Sequence, residues 1–240
     1  MKDASVAVLF VHGIQGQPKQ FQFLIDALPP EIEFRAPMLP GHGSNAKAFH
    51  AAGRKEWLSA VCRETQALLD EGKRVLYVGH SMGCLLGLKI SKELGDPYAG
   101  MLLLCCPFYP IITGGLRNGL RCYRRVRGRE DPCVEASRSA NSVSIHNVPD
   151  ILRLVRPYAE LLQLIREVRH MEPKAPARVR FRFSAADRVV NVKSVPFAGN
   201  WPGADIRVLA NCSHTFFTEQ AKRELKKDLF ELLGEVNHEE

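Results

Sequence analysis

The short apolar run Val75-Leu76-Tyr77-Val78 passes straight into Gly79-His80-Ser81-Met82-Gly83. That in turn opens a stretch, Ser81 to Leu94, with Leu85, Leu88 and Lys89 at helical spacing and Gly95 to stop it. Strand, tight turn and helix in direct succession leave few ways to fold. The central residue of so tight a turn takes a strained backbone conformation, and glycines on either side remove the side chains that would clash. The serine then stands at the amino end of a helix, where N–H groups and the helix dipole favour developing negative charge. A bare G-x-S-x-G is a weak signal. In this strand–turn–helix setting it reads as a nucleophile elbow with Ser81 at its apex. The plainer alternative is a glycine-rich turn with an incidental serine.

The rest of the 240-residue chain repeats the alternation of strand and helix. Strands are predicted at Val6–Val11, Ile32–Met38, Val75–Val78, Met101–Cys106, Val179–Phe183 and Ile206–Leu209. Helices are predicted at Phe21–Leu28, Glu56–Leu69, Ser81–Leu94, Asp150–Arg169 and Phe216–Leu233. Strands separated by helices of this length imply an α/β fold, a mostly parallel sheet covered on both faces. The rhythm breaks between Pro107 and Pro176. The expected organisation is one core, 1–106 with 177–240, and an inserted cap, 107–176. Such an insertion is thermodynamically tolerable, and loops of that length are usually functional.

A serine hydroxyl needs a base to take its proton. In the order Ser, acid, His, four histidines follow Ser81: His146, His170, His214 and His238. Only His214 sits in a loop just after a predicted strand, at the sheet edge where ligands and catalytic groups gather. Asp187 follows the strand Val179–Phe183 by a short turn, whereas Asp205 precedes a strand. Asp187 is therefore the expected acid, its alternative role being an Asx-type turn. His12-Gly13-Ile14-Gln15-Gly16 follows the first strand. The backbone N–H groups of Ile14 and Met82 are the expected oxyanion donors.

Taken in order, HGIQG, LPGHGS, GHSMGC, SAADRVV and NCSH resemble the α/β-hydrolase superfamily, and most closely its compact bacterial carboxylesterase and monoacylglycerol-lipase-like group. The resemblance covers nearly the whole core and matches the insertion only in position. It implies Ser81 as nucleophile, Asp187 as acid, His214 as base and a cap that shapes an acyl pocket. Leu39–Ser44 matches a loop read as structural. Two departures stand out. Ser213 precedes the histidine where glycine is frequent, and the chain starts almost at the first motif strand, so the leading antiparallel strands of larger relatives are expected to be missing. The implied activity is hydrolysis of carboxylic esters through an acyl-enzyme. The same triad would serve a thioesterase or serine peptidase, the fold also hosts non-catalytic binding proteins, and a dehalogenase would usually need an acid where Ser81 stands. No metal or organic cofactor is implied.

Charge and apolar content bear on the substrate. Residues 107–174 hold twelve Arg or Lys against seven Asp or Glu, a net +5 of the chain's +7. Arg117, Arg121, Arg124, Arg125, Arg127 and Arg129 form a run without an acid. A basic cap would attract an anionic substrate or surface, such as acyl-CoA, a lipid headgroup or an aromatic acid ester, and the expected partner is a small-molecule ester, anionic or acyl-bearing. The plainer reading is a solvated basic face. Phe108, Tyr109, Ile111, Ile112 and Leu116 are expected pocket walls, with core packing as the alternative. Nothing in the sequence suggests nucleic-acid binding. Pro97–Leu116 is uncharged for twenty residues but broken by Pro107, Pro110 and three glycines, so it reads as a buried strand and loop rather than a membrane span. Seven scattered cysteines without CxxC spacing, and no signal-peptide layout, point to the cytoplasm.

Overall fold

The computed structural model describes residues 5–111, 131–173 and 178–237. Its elements in chain order are β1 (Val6–Val11), α1 (Gln22–Ile25), β2 (Glu33–Arg35), α2 (Ala46–Ala51), α3 (Arg54–Asp70), β3 (Arg74–His80), α4 (Met82–Leu94) and β4 (Tyr98–Leu104). There follow α5 (Pro132–Ala140), α6 (Val148–Arg153), α7 (Val155–His170), β5 (Val179–Ser184), α8 (Ser194–Ala198), β6 (Asp205–Leu209) and α9 (Glu219–Asn237). The six strands form one sheet in the order β2-β1-β3-β4-β5-β6, and every neighbouring pair is parallel. Parallel pairing buries both faces, and the central strands β1, β3 and β4 are accordingly almost unbroken apolar runs. One face packs Trp57, Val61 and Leu68 of α3 and Leu85 and Leu88 of α4; the other packs Leu225, Leu229 and Leu232 of α9.

Several predicted boundaries move, among them the helices at Phe21–Leu28 and Phe216–Leu233, which are Gln22–Ile25 and Glu219–Asn237, and three of the shifts have a clear local reason. β2 is an edge strand that ends at Arg35, two residues before Pro37, which has no N–H for a ladder. β4 stops at Leu104 rather than Cys106, since Cys105 turns to φ 52° and no strand continues through that conformation. The expected single helix over 150–169 is two, α6 and α7. Pro157 lies in the first turn of α7, where its missing N–H costs nothing, but its ring would clash with the Arg153 carbonyl in one continuous helix. Among the described residues, no helix is long and apolar enough to cross a membrane.

β5 carries polar residues where β3 and β4 carry none. Val179, Phe181 and Phe183 face one core layer, while Arg180 and Arg182 face α9. The Arg182 side chain has no solvent exposure; its Nε and Nη2 donate to the two carboxylate oxygens of Asp228, both at 2.6 Å, and Nη2 also donates to Asp205 at 2.6 Å. A buried cation is tolerable only when paired in this way. Asp228→Ala is expected to cost about 3–5 kcal/mol of folding stability, because it leaves that guanidinium short of charge compensation. Urea unfolding monitored by circular dichroism measures it, and a loss below about 1 kcal/mol would show the pair to be dispensable.

Candidate active site

The sheet order reverses direction at β1: the chain goes out to β2 and returns to β3 on the other side. A crevice opens at the carboxyl ends of strands at such a point. The loop after β1 and the turn after β3 meet there.

Ser81 occupies that turn at φ 51°, ψ −117°, a region L-residues avoid unless the surroundings impose it. Its N–H donates to the Leu104 carbonyl at 2.8 Å and its carbonyl accepts from the Cys84 N–H at 3.0 Å, so the strain is held from both sides. The glycines have separate reasons. A β-carbon on Gly83 would run into the Val11 carbonyl oxygen of β1, and one on Gly79 would lie 2.9 Å from the Cys84 nitrogen. α4 can therefore start against the sheet only with glycine at both positions. Met82 is the first residue of α4, so its N–H has no intrahelical acceptor.

The structure brings the three residues singled out from the sequence together. His214 Nε2 lies 3.0 Å from Ser81 Oγ, and His214 Nδ1 lies 2.8 Å from Asp187 Oδ2. Asp187 sits in the turn after β5, and its two oxygens divide the work. Oδ1 accepts from the Val189 and Val190 N–H groups at 2.7 and 2.9 Å, an Asx-type turn, while Oδ2 faces the imidazole. The acid and turn readings of this residue are thus one arrangement. Burial works to raise the Asp187 carboxyl, but the His214 ring and the Val190 and Val189 N–H groups outweigh it and hold it below its ordinary value. The Ala186 N–H donates to the Cys212 carbonyl at 2.9 Å, tying the acid's turn to the histidine's loop.

Three other buried histidines surround this line, and the sequence reading gave none of them a role. His80 donates from Nε2 to the His214 carbonyl at 2.7 Å, so its Nδ1 is unprotonated. His12 donates from Nδ1 to the Gly13 carbonyl at 2.9 Å and accepts the Leu39 N–H on Nε2 at 3.1 Å. His42 contacts the Pro40 carbonyl through Nδ1 at 3.2 Å and accepts the Gln15 N–H on Nε2 at 3.0 Å. The loop after β1 and the Leu39–Ser44 loop thus each send an imidazole to grip the other's backbone, with the two rings 4.8 Å apart edge to face. The only sequence signal was the histidine inside each motif. Burial lowers all three from the ordinary 6.5, His12 and His80 to about 3 and His42 to about 4.

Of the expected pocket walls, Phe108 is fully buried among Phe181, Phe197 and Trp201. Tyr109 packs edge-on to Phe197 under the guanidinium of Arg169, and the Ile111 N–H donates to the Val189 carbonyl at 2.7 Å. Ile112, Leu116 and the arginine run Arg117–Arg129 lie outside the described residues. Among the described residues, His80, Cys105 and His214 bring possible metal-ligand atoms within 4.8 Å of one another. His214 is engaged at both ring nitrogens, on Asp187 and Ser81, and burial followed by the Asp187 charge pushes the Cys105 thiol well up.

A parallel α/β sheet with a serine, a histidine and a carboxylate in one hydrogen-bonded line at its strand ends is the architecture of a hydrolase class. Residues 8–227 match the alpha/beta hydrolase family, and the chain belongs to it. No curated protein matches it by sequence. Solved structures similar in fold include a metagenome-derived lipolytic enzyme at 16% identity and TM-score 0.71, covering 95% of this chain and 94% of that one. The monoacylglycerol lipase of Paleococcus ferrophilus shows 17% identity and TM-score 0.63, covering 97% and 96%. The thioesterase domain of the curacin biosynthetic pathway shows 17% identity and TM-score 0.59, covering 94% and 91%. At such identities the likeness is one of fold.

Proposed function

We propose that the chain is a serine hydrolase that cleaves carboxylic esters through an acyl-enzyme. His214 Nε2 takes the Ser81 proton as Oγ attacks the ester carbonyl. Asp187 keeps the remaining proton on Nδ1 and stabilises the imidazolium. The N–H groups of Ile14 and Met82 receive the oxyanion. His214 then protonates the departing alcohol, and water, deprotonated by the same imidazole, releases the acid. The segment between β4 and β5 serves as a cap, with Tyr109 and Ile111 at the edge of the acyl site. The observation that carries this reading is the unbroken hydrogen-bonded line from Ser81 through His214 to Asp187 at a strained elbow. Esters are preferred because lipolytic neighbours share the fold along nearly its whole length. The thioesterase neighbour keeps thioesters as the second reading.

The test is a p-nitrophenyl ester series from acetate to palmitate, with Ser81→Ala beside the wild type. Turnover should fall by at least about 10³-fold in the variant, and the best chain length sizes the acyl site. A wild type inert toward every ester would overturn the ester reading and bring forward a thioester or peptide substrate, or a binding role.

A further inference from the structure

From the second half of α5 to the start of α6 the chain is threaded into the hydrogen bonding of both loops of the site. The Ser142 N–H donates to the Gln15 carbonyl at 2.7 Å. Its hydroxyl donates to the Gly16 carbonyl at 2.6 Å, with the Gln15 carbonyl further off at 3.2 Å, and accepts the Gly43 N–H at 3.1 Å. One serine thus spans the loop after β1 and the Leu39–Ser44 loop. The Ser144 N–H donates to the Ser44 carbonyl at 2.9 Å, and the Ala46 N–H returns a bond to Ser144 at 3.2 Å. At the other end, Ser137 Oγ donates to the Cys133 carbonyl, so the 2.8 Å contact between Ser137 and Thr215 hydroxyls has Thr215 as donor. Thr215 is the residue after His214. Between these ends the Gln17 side-chain amide donates to the Ser139 carbonyl at 2.7 Å, and from α7 the Tyr158 hydroxyl donates to Gln15 Oε1 at 2.8 Å.

We propose that Ser137–Ser142 is a strap tying the loop that carries Ile14 to the loop that carries His214, with Ser142 as the positioning residue through which it fixes the Ile14 N–H. This rests on the ester-hydrolase reading for its catalytic consequence. The path is two hydrogen bonds long. The Ser142 N–H holds the Gln15 carbonyl, which shares a peptide plane with the Gly16 N–H, and the Ser142 hydroxyl holds the Gly16 carbonyl on the far side of that glycine; the Gly16 N–H closes a turn onto the Gly13 carbonyl at 3.0 Å. The Gly13 carbonyl belongs to the same rigid peptide plane as the Ile14 N–H, so holding one aims the other. The turn needs outside support because Gln15 sits at φ 54°, a left-handed conformation that a residue with a β-carbon adopts only under constraint. His42 grips the Gln15 N–H and Ser142 its carbonyl, so that residue is pinned on both sides.

An oxyanion donor acts through its aim at a charge that exists only in the transition state, so misaiming it lowers kcat rather than substrate affinity. Ser142→Ala is expected to lower kcat on the best p-nitrophenyl ester by about 10- to 100-fold with KM within about twofold. Ser142→Thr, which keeps the hydroxyl, should restore most of it. In the free protein, amide hydrogen exchange at Gly16 should rise in Ser142→Ala, a readout that needs no substrate. An unchanged kcat in Ser142→Ala overturns the proposal. So does a fall in kcat that tracks lost thermal stability and is not relieved by Ser142→Thr, since that describes a purely structural serine. If the wild type hydrolyses no ester, faster Gly16 exchange upholds the strap while the ester reading alone falls. Unchanged exchange in that case removes both.

Discussion

Asp187→Asn should lower kcat for ester hydrolysis by about 10⁴-fold with the fold intact. The reason lies in how the carboxylate is shared. Oδ1 accepts two backbone N–H groups, from Val189 and Val190, and only an oxygen can do so. An asparagine must therefore keep its carbonyl there and turn its NH₂ toward His214 Nδ1. A donor facing that nitrogen forces the imidazole to carry its proton on Nε2, where the Ser81 hydroxyl needs an acceptor. The base is then present in the wrong tautomer. KM should move little, since both Asp187 oxygens are taken up by His214 and the Val189 and Val190 N–H groups. Steady-state kinetics measures the loss, and ¹⁵N shifts of the His214 ring report the tautomer. A loss under tenfold would mean that Asp187 does not orient the base.

The second large effect is sensitivity to acid. His12, His42 and His80 are held neutral by burial, their folded values at about 3, 4 and 3 against 6.5 when exposed. Between those values the unfolded chain binds protons that the folded chain refuses. Stability is therefore complete above about pH 6.5 and falls as pH drops toward 4, by up to about 1.4 kcal/mol per pH unit for each histidine. Carboxylates overlap only the acid end of this window, Glu33 and Glu231 being held below their ordinary 4.5 by Lys73 and Arg180. Asp187 and Asp205 are held below their ordinary value of 3.8, so their contributions fade only below about pH 5. Urea midpoints at pH 7, 5.5 and 4.5 should drop steeply, and His42→Gln should make the slope shallower by about one proton. A midpoint that stays flat from pH 7 to pH 5 would show that these rings do not resist protonation. Protonating His42 would also take away the acceptor of the Gln15 N–H, so turnover should be lost along with stability.

The candidate catalytic residues were more legible than their supports. Ser81 announced itself because the elbow confines glycine to Gly79 and Gly83, and His214 and Asp187 because strand ends lie next to one another in a parallel sheet. Those are constraints on a few adjacent positions. Ser142, by contrast, works through backbone carbonyls more than a hundred positions away, and a serine in a loop carries no mark of its distant partners. The imidazoles of His12 and His42 were visible inside their motifs, yet their reciprocal grip depends on two loops meeting in space. The break between α6 and α7 was written in Pro157 and was passed over because the apolar spacing runs on through it. The short helices α2, α5 and α8 have too few turns to leave a periodic pattern.

The order of parts along the chain has a consequence for synthesis. The elbow is complete once β4 has followed α4 and supplied the Leu104 carbonyl that holds Ser81, but Asp187 arrives about eighty residues later and His214 later still. Synthesis proceeds at about 5–20 residues per second, so a nascent chain carries an inert serine for several seconds. On the proposed mechanism the hydroxyl becomes reactive only once β5 has paired with β4 and β6 with β5, bringing Asp187 and His214 to Ser81.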